Sequence, residues 1–273
     1  MSYHYNVNTL TENCISWIKE WFNQNGDEKT KAIIGISGGK DSTVLAALLT
    51  RALGKERVVG AILPNGKQED GDDAIKVAEL LDITTYTINI ETAYESITNG
   101  MRPAFPVGTG SFPPESFSIN TPSRLRMTVL YSLAATMGNS RVANTGNRSE
   151  SIVGYSTLYG DSAGDFAPFK NLTSDEIVAI GDSIGLPYDL VHKKPSDGMS
   201  KDKNGNLLGD EDKLGLTYKD INDFIRNEPS GESKLKKGTK EKILSAFNKN
   251  KFKLIIQNIP SFKVDFPDFF RDL

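Results

Sequence analysis

A segment rich in glycine and serine carries the strongest chemical signal in this 273-residue sequence. It follows an apolar run and consists of Gly35, Ile36, Ser37, Gly38, Gly39, Lys40, Asp41 and Ser42. Glycines let backbone N–H groups approach a ligand, serine hydroxyls add donors, and a helix beginning here adds partial positive charge. The pattern predicts an anion site whose natural occupant is phosphate. It differs from the G-x-x-x-x-G-K-[ST] loop, because the lysine directly follows the Gly-Gly pair and an aspartate comes next.

Asp41 is the unusual residue of this segment. A carboxylate beside bound phosphates repels them unless a cation lies between, so the aspartate favours a magnesium site. The alternative is that Ser-Gly-Gly forms a tight turn and Asp41 is only a first-turn carboxylate of the following helix. The residues of this segment alone leave both interpretations open.

Other catalytic residue types are scarce. A Ser-His-Asp or Cys-His arrangement would need His4 or His192, and no Cys/His cluster exists that could hold zinc or an iron–sulfur centre. The single cysteine, Cys14, cannot pair within the chain, which favours a reducing, cytoplasmic compartment.

The surrounding sequence alternates between strand and helix patterns. It predicts strands over residues 32–36, 58–63, 84–90 and 141–145, and helices from Leu10 to near Gly26, from Ser42 to Gly54, over 72–81, over 122–137, and after a Thr173/Glu176 capping box. This order predicts an α/β fold, a doubly wound, mostly parallel sheet with helices on both faces. In such folds ligands bind at the carboxyl ends of the strands.

Two segments lack such periodicity. Residues 99–120 contain four prolines and are longer than compact domains usually leave irregular, so we expect them to be functional, interfacial or disordered. Residues 193–215 are almost devoid of apolar side chains and bury too little to order themselves, so we expect a mobile lid over the site.

Composition excludes several classes of protein. The 32 Lys and Arg against 35 Asp and Glu give a net charge of −3, which argues against a nucleic-acid-binding protein. No apolar run reaches the roughly 18 residues that cross a bilayer. The length suits one large domain, residues 1–273, without an added glutaminase domain.

Several short motifs carry a family resemblance. Residues 37–42 resemble the pyrophosphate loop of the ATP pyrophosphatase superfamily, whose members cleave ATP between the α and β phosphates. Further segments resemble those of ammonia-dependent NAD synthetases. They are residues 63–74, Asn120 with Arg124 and Arg126, Thr145-Gly146-Asn147-Arg148-Ser149-Glu150, Gly154-Tyr155, Tyr159-Gly160-Asp161, Pro195-Ser196, and Leu214-Gly215-Leu216-Thr217-Tyr218. The match covers about residues 33–224, in an adenine nucleotide alpha hydrolase-like fold.

The resemblance implies a role for each matching residue. Asp41 and Glu150 would be the catalytic magnesium ligands. Arg124, Asp165 and Lys253 would bind nicotinic acid adenine dinucleotide. ATP, the co-substrate, would contact Gly35, Ile36, Ser37, Gly38, Gly39, Lys40, Asp41, Ser42, Gln68, Thr145 and Ser196.

The implied reaction is a two-step ligation with ammonia as nitrogen donor. The nicotinate carboxylate attacks ATP to give an adenylate and pyrophosphate, and ammonia then displaces AMP to form NAD. The chain departs from the family at two lysine positions, where it has Leu158 and Ser174. We therefore expect positive charge to be missing at two ligand-facing places, one of which Lys170 could supply.

Alternatives and assembly remain to be decided by structure. A different ATP-pyrophosphatase-type ligase, an RNA-modifying enzyme and a non-catalytic nucleotide-binding protein would also use the phosphate loop. We expect a homodimer, because Trp17, Trp21, Phe22 and Tyr131 offer more apolar surface than a small monomer leaves uncovered. The resemblance implies the same assembly.

Overall fold

The computed structural model describes residues 4–66, 71–105, 112–193, 196–201, 207–256 and 259–270. Its central sheet has the order β3-β2-β1-β4 and is parallel throughout. The strands are β1 (Lys31–Gly35), β2 (Val58–Ile62), β3 (Thr84–Thr87) and β4 (Ser140–Val142). In register, Ala32 of β1 lies between Val58 and Arg141. The predicted doubly wound α/β sheet is confirmed.

Helices cover both faces of this sheet. They are α1 (Val7–Asn25), α2 (Lys40–Leu53), α3 (Gly71–Leu81), α4 (Glu91–Met101), α5 (Glu115–Met137), α6 (Arg148–Val153), α7 (Ser174–Ser183), α8 (Tyr188–Val191), α9 (Asp210–Leu214), α10 (Tyr218–Asn227), α11 (Lys237–Asn250) and α12 (Phe252–Ile256). Single 3₁₀ turns lie at Lys55–Arg57, Arg102–Ala104 and Glu228–Ser230. Alternate side chains of β1 enter opposite layers: Ile34 packs in the layer of α1, α2 and α7, and Ile33 in the layer of α5.

Helix α1 begins at the Asn6 cap, whose side chain accepts a hydrogen bond from the Thr9 N–H at 3.1 Å, and ends before Gly26. Its buried face lies against the chain's own core, where Trp21 stacks on Phe166 with ring centroids 4.7 Å apart. Phe22 is buried in the same cluster. The expectation that these two side chains form a free dimer surface is therefore wrong, because they are covered within one chain.

Helix α5 begins seven residues before the predicted start and passes through Pro122. The preceding α4 was not predicted at all. Neither helix has the expected apolar periodicity: no residue of α4 is buried, and α5 buries only Pro122, Leu133 and Ala134. Part of residues 99–120 is thus helical, while residues 106–111 lie outside the described part of the chain. The sequence of residues 99–120 predicts no helix, because helices that bury so few residues need no regular apolar face.

Strands β3 and β4 each end three residues before the predicted limit. The backbone beyond them turns to loop partners: the Ile90 N–H donates to the Pro64 carbonyl at 2.9 Å, and the Asn144 N–H to the Phe166 carbonyl at 2.9 Å. Helix α2 begins two residues earlier than predicted, at Lys40.

The polar segment after α8 contains an antiparallel pair, β5 (Ser196–Lys201) and β6 (Leu207–Gly209), followed directly by α9. These strands are not predicted from sequence, because residues 196–201 and 207–209 show no alternation of apolar and polar residue types. Residues 194–195 and 202–206 lie outside the described part. The mobility of this segment stays a prediction.

A second apolar cluster joins α6, α10, α11 and Phe270. The segment before Phe270 is held there by an ion pair in which Arg148 Nε lies 2.8 Å from Asp268 Oδ2. Because Arg148 opens α6, this contact fixes the helix that carries Glu150. None of the described helices is long and apolar enough to cross a membrane.

Candidate active site

A cavity of about 670 Å³ opens at the carboxyl ends of β1, β2 and β4. Gly35, Ile62 and Val142, the last residues of these strands, line it. The sheet order reverses between β1 and β4, and open α/β sheets bind ligands in the crevice that such a reversal creates. The predicted location of the site agrees with this geometry.

The phosphate loop connects β1 to α2 and forms one wall of the cavity. Gly38 has φ +76, and a Cβ at this position would lie 2.8 Å from Asp73 Cβ and 2.9 Å from the Ala74 nitrogen. Only glycine fits both the left-handed backbone and the close approach to α3. The Ser37 and Ser42 hydroxyls lie 3.1 Å apart and brace the turn.

Lys40 and Asp41 begin α2 as a close ion pair, with Nζ 2.7 Å from Oδ2. Lys40 is buried. Burial alone would lower its pKa, but the carboxylates of Asp41 and Glu150 prevail and raise it, so the side chain stays charged. Positive charge is therefore fixed beside the phosphate loop.

Glu150 lies on the first turn of α6 and lines the same cavity as Asp41. Its carboxylate accepts a hydrogen bond from the Asn147 N–H at 3.2 Å, and the Asn147 side chain accepts one from the Glu150 N–H at 3.0 Å. Burial, followed by the negative charge of Asp41, raises the pKa of Glu150 to about 8. The charge of Asp41 thus opposes ionisation of Glu150, and a cation between the two residues would favour the charged form of Glu150.

The donor set fits magnesium. Asp41 and Glu150 offer hard oxygen ligands, and the described residues include no group of three or more His, Cys, Asp or Glu that could hold a metal alone. Magnesium is commonly held by one or two carboxylates together with substrate phosphates. The site is therefore suited to a metal that arrives with a nucleotide.

Three site residues were not assigned a role from sequence. The Tyr155 hydroxyl donates to Asp210 Oδ1 at 2.7 Å, and both residues lie at the cavity, where Asp210 is buried. Lys40 Nζ lies 5.6 Å from the centroid of the Tyr218 ring, whose buried hydroxyl has no hydrogen-bond partner among the described residues. Tyr155 and Tyr218 stand within the motifs quoted above. The apolar periodicity of the sequence could not show that Asp210 lines the same cavity as the phosphate loop.

The structure brings most predicted ATP contacts together. The phosphate loop, with the exception of Gly38, and Thr145 line the cavity with Asp41 and Glu150. Ser196 is described through its backbone only, which pairs with Gly209. Gln68 lies outside the described residues.

The three predicted dinucleotide contacts are not brought together. Arg124 is exposed and its Nε donates to the Leu158 carbonyl at 3.2 Å. Asp165 accepts from the Tyr131 hydroxyl at 3.1 Å and from the Val142 N–H at 2.7 Å. Lys253 donates to the carbonyls of residues 154 and 156. Within the described residues none of the three lines the cavity.

The expectation of a ligand-facing position at Ser174 is wrong. Ser174 is buried, its N–H donates to Ser149 Oγ at 3.0 Å, and its hydroxyl accepts from Asn222 Nδ2 at 3.0 Å. A small hydroxyl residue fits this enclosed polar network, which joins α6, α7 and α10. Leu158 is half-buried, and Lys170 likewise.

Fold and site define a nucleotide-binding α/β enzyme with a phosphate loop and an acidic pair. The NAD synthase family matches residues 10–257 of this chain. The NH(3)-dependent NAD(+) synthetase of Pyrococcus furiosus is 36% identical over 215 residues, which are 78% of this chain and 77% of that protein. Its counterpart in Pyrococcus horikoshii is 38% identical over 212 residues, 77% and 76% of the two chains.

Solved structures agree. An NMN synthetase from Francisella tularensis superposes with a TM-score of 0.79 at 29% identity, covering 95% of this chain and all of that one (100%). An NH3-dependent NAD synthetase from Campylobacter jejuni gives 0.72 at 24%, with 96% and 100% covered. The chain belongs to the NAD synthase family, which confirms the resemblance seen in its motifs. It is a ligase that forms a carbon–nitrogen bond with ATP as co-substrate, and ammonia-dependent NAD synthesis is the activity these comparisons support.

Proposed function

We propose that this chain joins nicotinic acid adenine dinucleotide and free ammonia at the expense of ATP, with release of NAD, AMP and pyrophosphate. The proposal rests on the acidic pair Asp41 and Glu150, which lines the cavity beside the phosphate loop. Asn147 contacts both carboxylates, Glu150 through its backbone N–H and Asp41 through its side-chain Nδ2. A separate enzyme or free ammonium would supply the nitrogen. The lone Cys14 supports a cytoplasmic location.

In the first step a nicotinate carboxylate oxygen bonds to the α-phosphorus of ATP, and the bond from that phosphorus to the bridging oxygen breaks, so pyrophosphate leaves. In the second step ammonia attacks the carboxyl carbon, AMP leaves with the acyl oxygen, and the nitrogen loses a proton. The phosphate loop and Lys40 bind the negative charge of the leaving pyrophosphate. Alignment of bound reactants can contribute about 7–11 kcal/mol, so no covalent enzyme intermediate is needed.

Asp41 and Glu150 would hold Mg²⁺, which neutralises phosphate charge when bound. The raised pKa of Glu150 supports this assignment, because burial and the charge of Asp41 disfavour its ionised form and a bound cation would stabilise it.

A second candidate substrate is the corresponding mononucleotide. It is favoured by the superposition on the Francisella tularensis NMN synthetase at 29% identity. Arg124 and Asp165 are also not among the described residues that line the cavity of a single chain. Measuring kcat/KM with nicotinic acid adenine dinucleotide and nicotinic acid mononucleotide decides between them. We expect the dinucleotide to be preferred, and a higher kcat/KM for the mononucleotide would overturn the proposed substrate.

The proposed assembly is a homodimer through the face formed by α4 and α5. Ile97, Met101 and Ile119 are exposed on these helices, and the exposed Arg124 also lies on α5. Light scattering that gives the 29.9 kDa monomer mass at working concentrations would reject the dimer.

Residues 193–215 are proposed to close over ATP and the adenylate, which would keep water from the intermediate. Asp210 and Lys213 of α9 line the cavity and support this placement. Hydrogen exchange across residues 197–213 should slow when ATP, magnesium and the dinucleotide are added. Unchanged exchange in a ligand-saturated sample would refute closure.

A further inference from the structure

Lys193 is a cavity-lining cation bound to a carboxylate beside the phosphate loop. Its Nζ lies 2.8 Å from Asp73 Oδ2. Asp73 stands on the first turn of α3 and closely approaches Gly38, at which a Cβ would meet Asp73 Cβ at 2.8 Å. Lys193 therefore lines the same cavity as the phosphate loop and contacts a residue that packs against that loop.

We propose that Lys193 is a phosphate-binding residue that rests on Asp73 and exchanges this carboxylate for a phosphate oxygen when the polyphosphate chain of the nucleotide enters the cavity. The inference deepens the proposed function and rests on it. The ligand chemistry is a polyphosphate anion carried by a nucleotide.

The environment of Asp73 makes such an exchange inexpensive. Its second oxygen, Oδ1, lies 2.9 Å from Lys76 Nζ, so the carboxylate keeps a cationic partner after Lys193 leaves. The side chains of Lys193 and Asp73 are 26% and 24% exposed, and partly exposed ion pairs contribute little to stability. A polyphosphate carries more negative charge than one carboxylate and attracts the ammonium more strongly.

Lys76 provides a matched comparison. It is the same residue type on the same carboxylate, but its side chain is 58% exposed and it is not among the described residues that line the cavity. A contact with bound phosphate is therefore available to Lys193 and not to Lys76.

A purely structural bridge would also explain the contact, and it predicts different mutant behaviour. If the ion pair only holds residue 193 against α3, removing Lys193 and removing Asp73 should weaken nucleotide binding equally. If Asp73 only holds Lys193 until phosphate arrives, Asp73→Asn removes a competing negative charge and leaves binding unchanged or tighter, while Lys193→Met weakens it. Asparagine is nearly isosteric with aspartate, so the approach to Gly38 is kept.

The test is calorimetric titration of the full chain with magnesium and α,β-methylene-ATP, then with inorganic tripolyphosphate, then with adenosine. Lys193→Met should weaken both phosphate ligands by about 10- to 100-fold, the scale of one charge-assisted hydrogen bond, and leave adenosine affinity unchanged. Lys193→Arg should recover most of the loss. Lys76→Met removes the partner that Asp73 keeps but no phosphate contact, so it should weaken the phosphate ligands less than Lys193→Met does.

Two outcomes would overturn the inference while the wild-type protein still binds the ATP analogue. One is unchanged affinity for both phosphate ligands in Lys193→Met. The other is an equal loss in Lys193→Met and Asp73→Asn that extends to adenosine, which indicates a structural bridge. If the wild-type protein binds no ATP analogue, the proposed function itself fails, and the inference fails with it.

Discussion

Asn147 and Glu150 hold each other in place at the start of α6: each backbone N–H donates to the side chain of the other, at 3.2 Å for Asn147 and 3.0 Å for Glu150. The remaining donor of the buried Asn147, Nδ2, points to Asp41 Oδ1 at 3.4 Å. One asparagine thus contacts both members of the acidic pair. A helix cap is used here to orient the residues proposed to hold magnesium.

Replacing this cap should affect stability and magnesium dependence separately. Asn147→Ala should lower the free energy of unfolding by about 1 kcal/mol, the usual effect of a lost N-cap, and should raise the magnesium concentration needed for half-maximal activity. Asn147→Ser keeps a capping oxygen and should recover stability but not the magnesium response. Urea denaturation and magnesium titrations measure the two effects. A wild-type magnesium response in both variants would show that Asn147 does not orient the pair.

Loss of either carboxylate should strongly reduce turnover. Asp41→Asn and Glu150→Gln should each lower kcat by at least about 10²-fold, the scale observed when one preorganised electrostatic group is removed. Glu79→Gln, an exposed carboxyl on α3, is the matched control and should keep wild-type activity. If the two site variants fold normally and stay nearly as active as the control, their assignment as magnesium ligands is wrong.

Two tyrosines near Lys40 should respond oppositely to loss of the hydroxyl. Tyr218→Phe removes a buried hydroxyl that bonds to no residue in the described part of the chain, so stability should stay equal or rise. Tyr155→Phe removes the donor to buried Asp210 and should cost about 1–3 kcal/mol. Thermal unfolding of both variants measures the difference. A marked loss of stability in Tyr218→Phe would mean that its hydroxyl has a partner after all.

Cys14 should be unreactive in the folded chain. Its burial raises the pKa of the thiol from the ordinary 9.0 to about 12, so almost no thiolate exists at pH 8. A thiol reagent should label Cys14 only after urea is added. The Cys14 thiol ionises more easily in the unfolded chain, so its burial in the neutral form favours the folded state. This stabilisation is fully present below pH 9 and is lost as pH rises from about 9 to 12. Rapid labelling of the native protein at pH 8 would contradict the burial.

The parts of the structure with regular apolar patterns could be predicted from sequence. The runs at β1 and β2 and the amphipathic α2 place the phosphate loop correctly, because strand burial and helix periodicity are local signals. The early start of α5 could not be predicted, since that helix buries few residues. The contacts of Lys193 with Asp73 and of Tyr155 with Asp210 join residues 120 and 55 positions apart, and no local pattern encodes such distances.

The central claim is that ATP is split to AMP and pyrophosphate while an acid becomes an amide. The most direct measurement incubates the purified chain with ATP, magnesium, ammonium and nicotinic acid adenine dinucleotide and quantifies all products by chromatography. We expect equal amounts of NAD, AMP and pyrophosphate. Without ammonium, the amount of each product should not exceed the amount of enzyme. Release of ADP and phosphate, or AMP production without NAD, would contradict it.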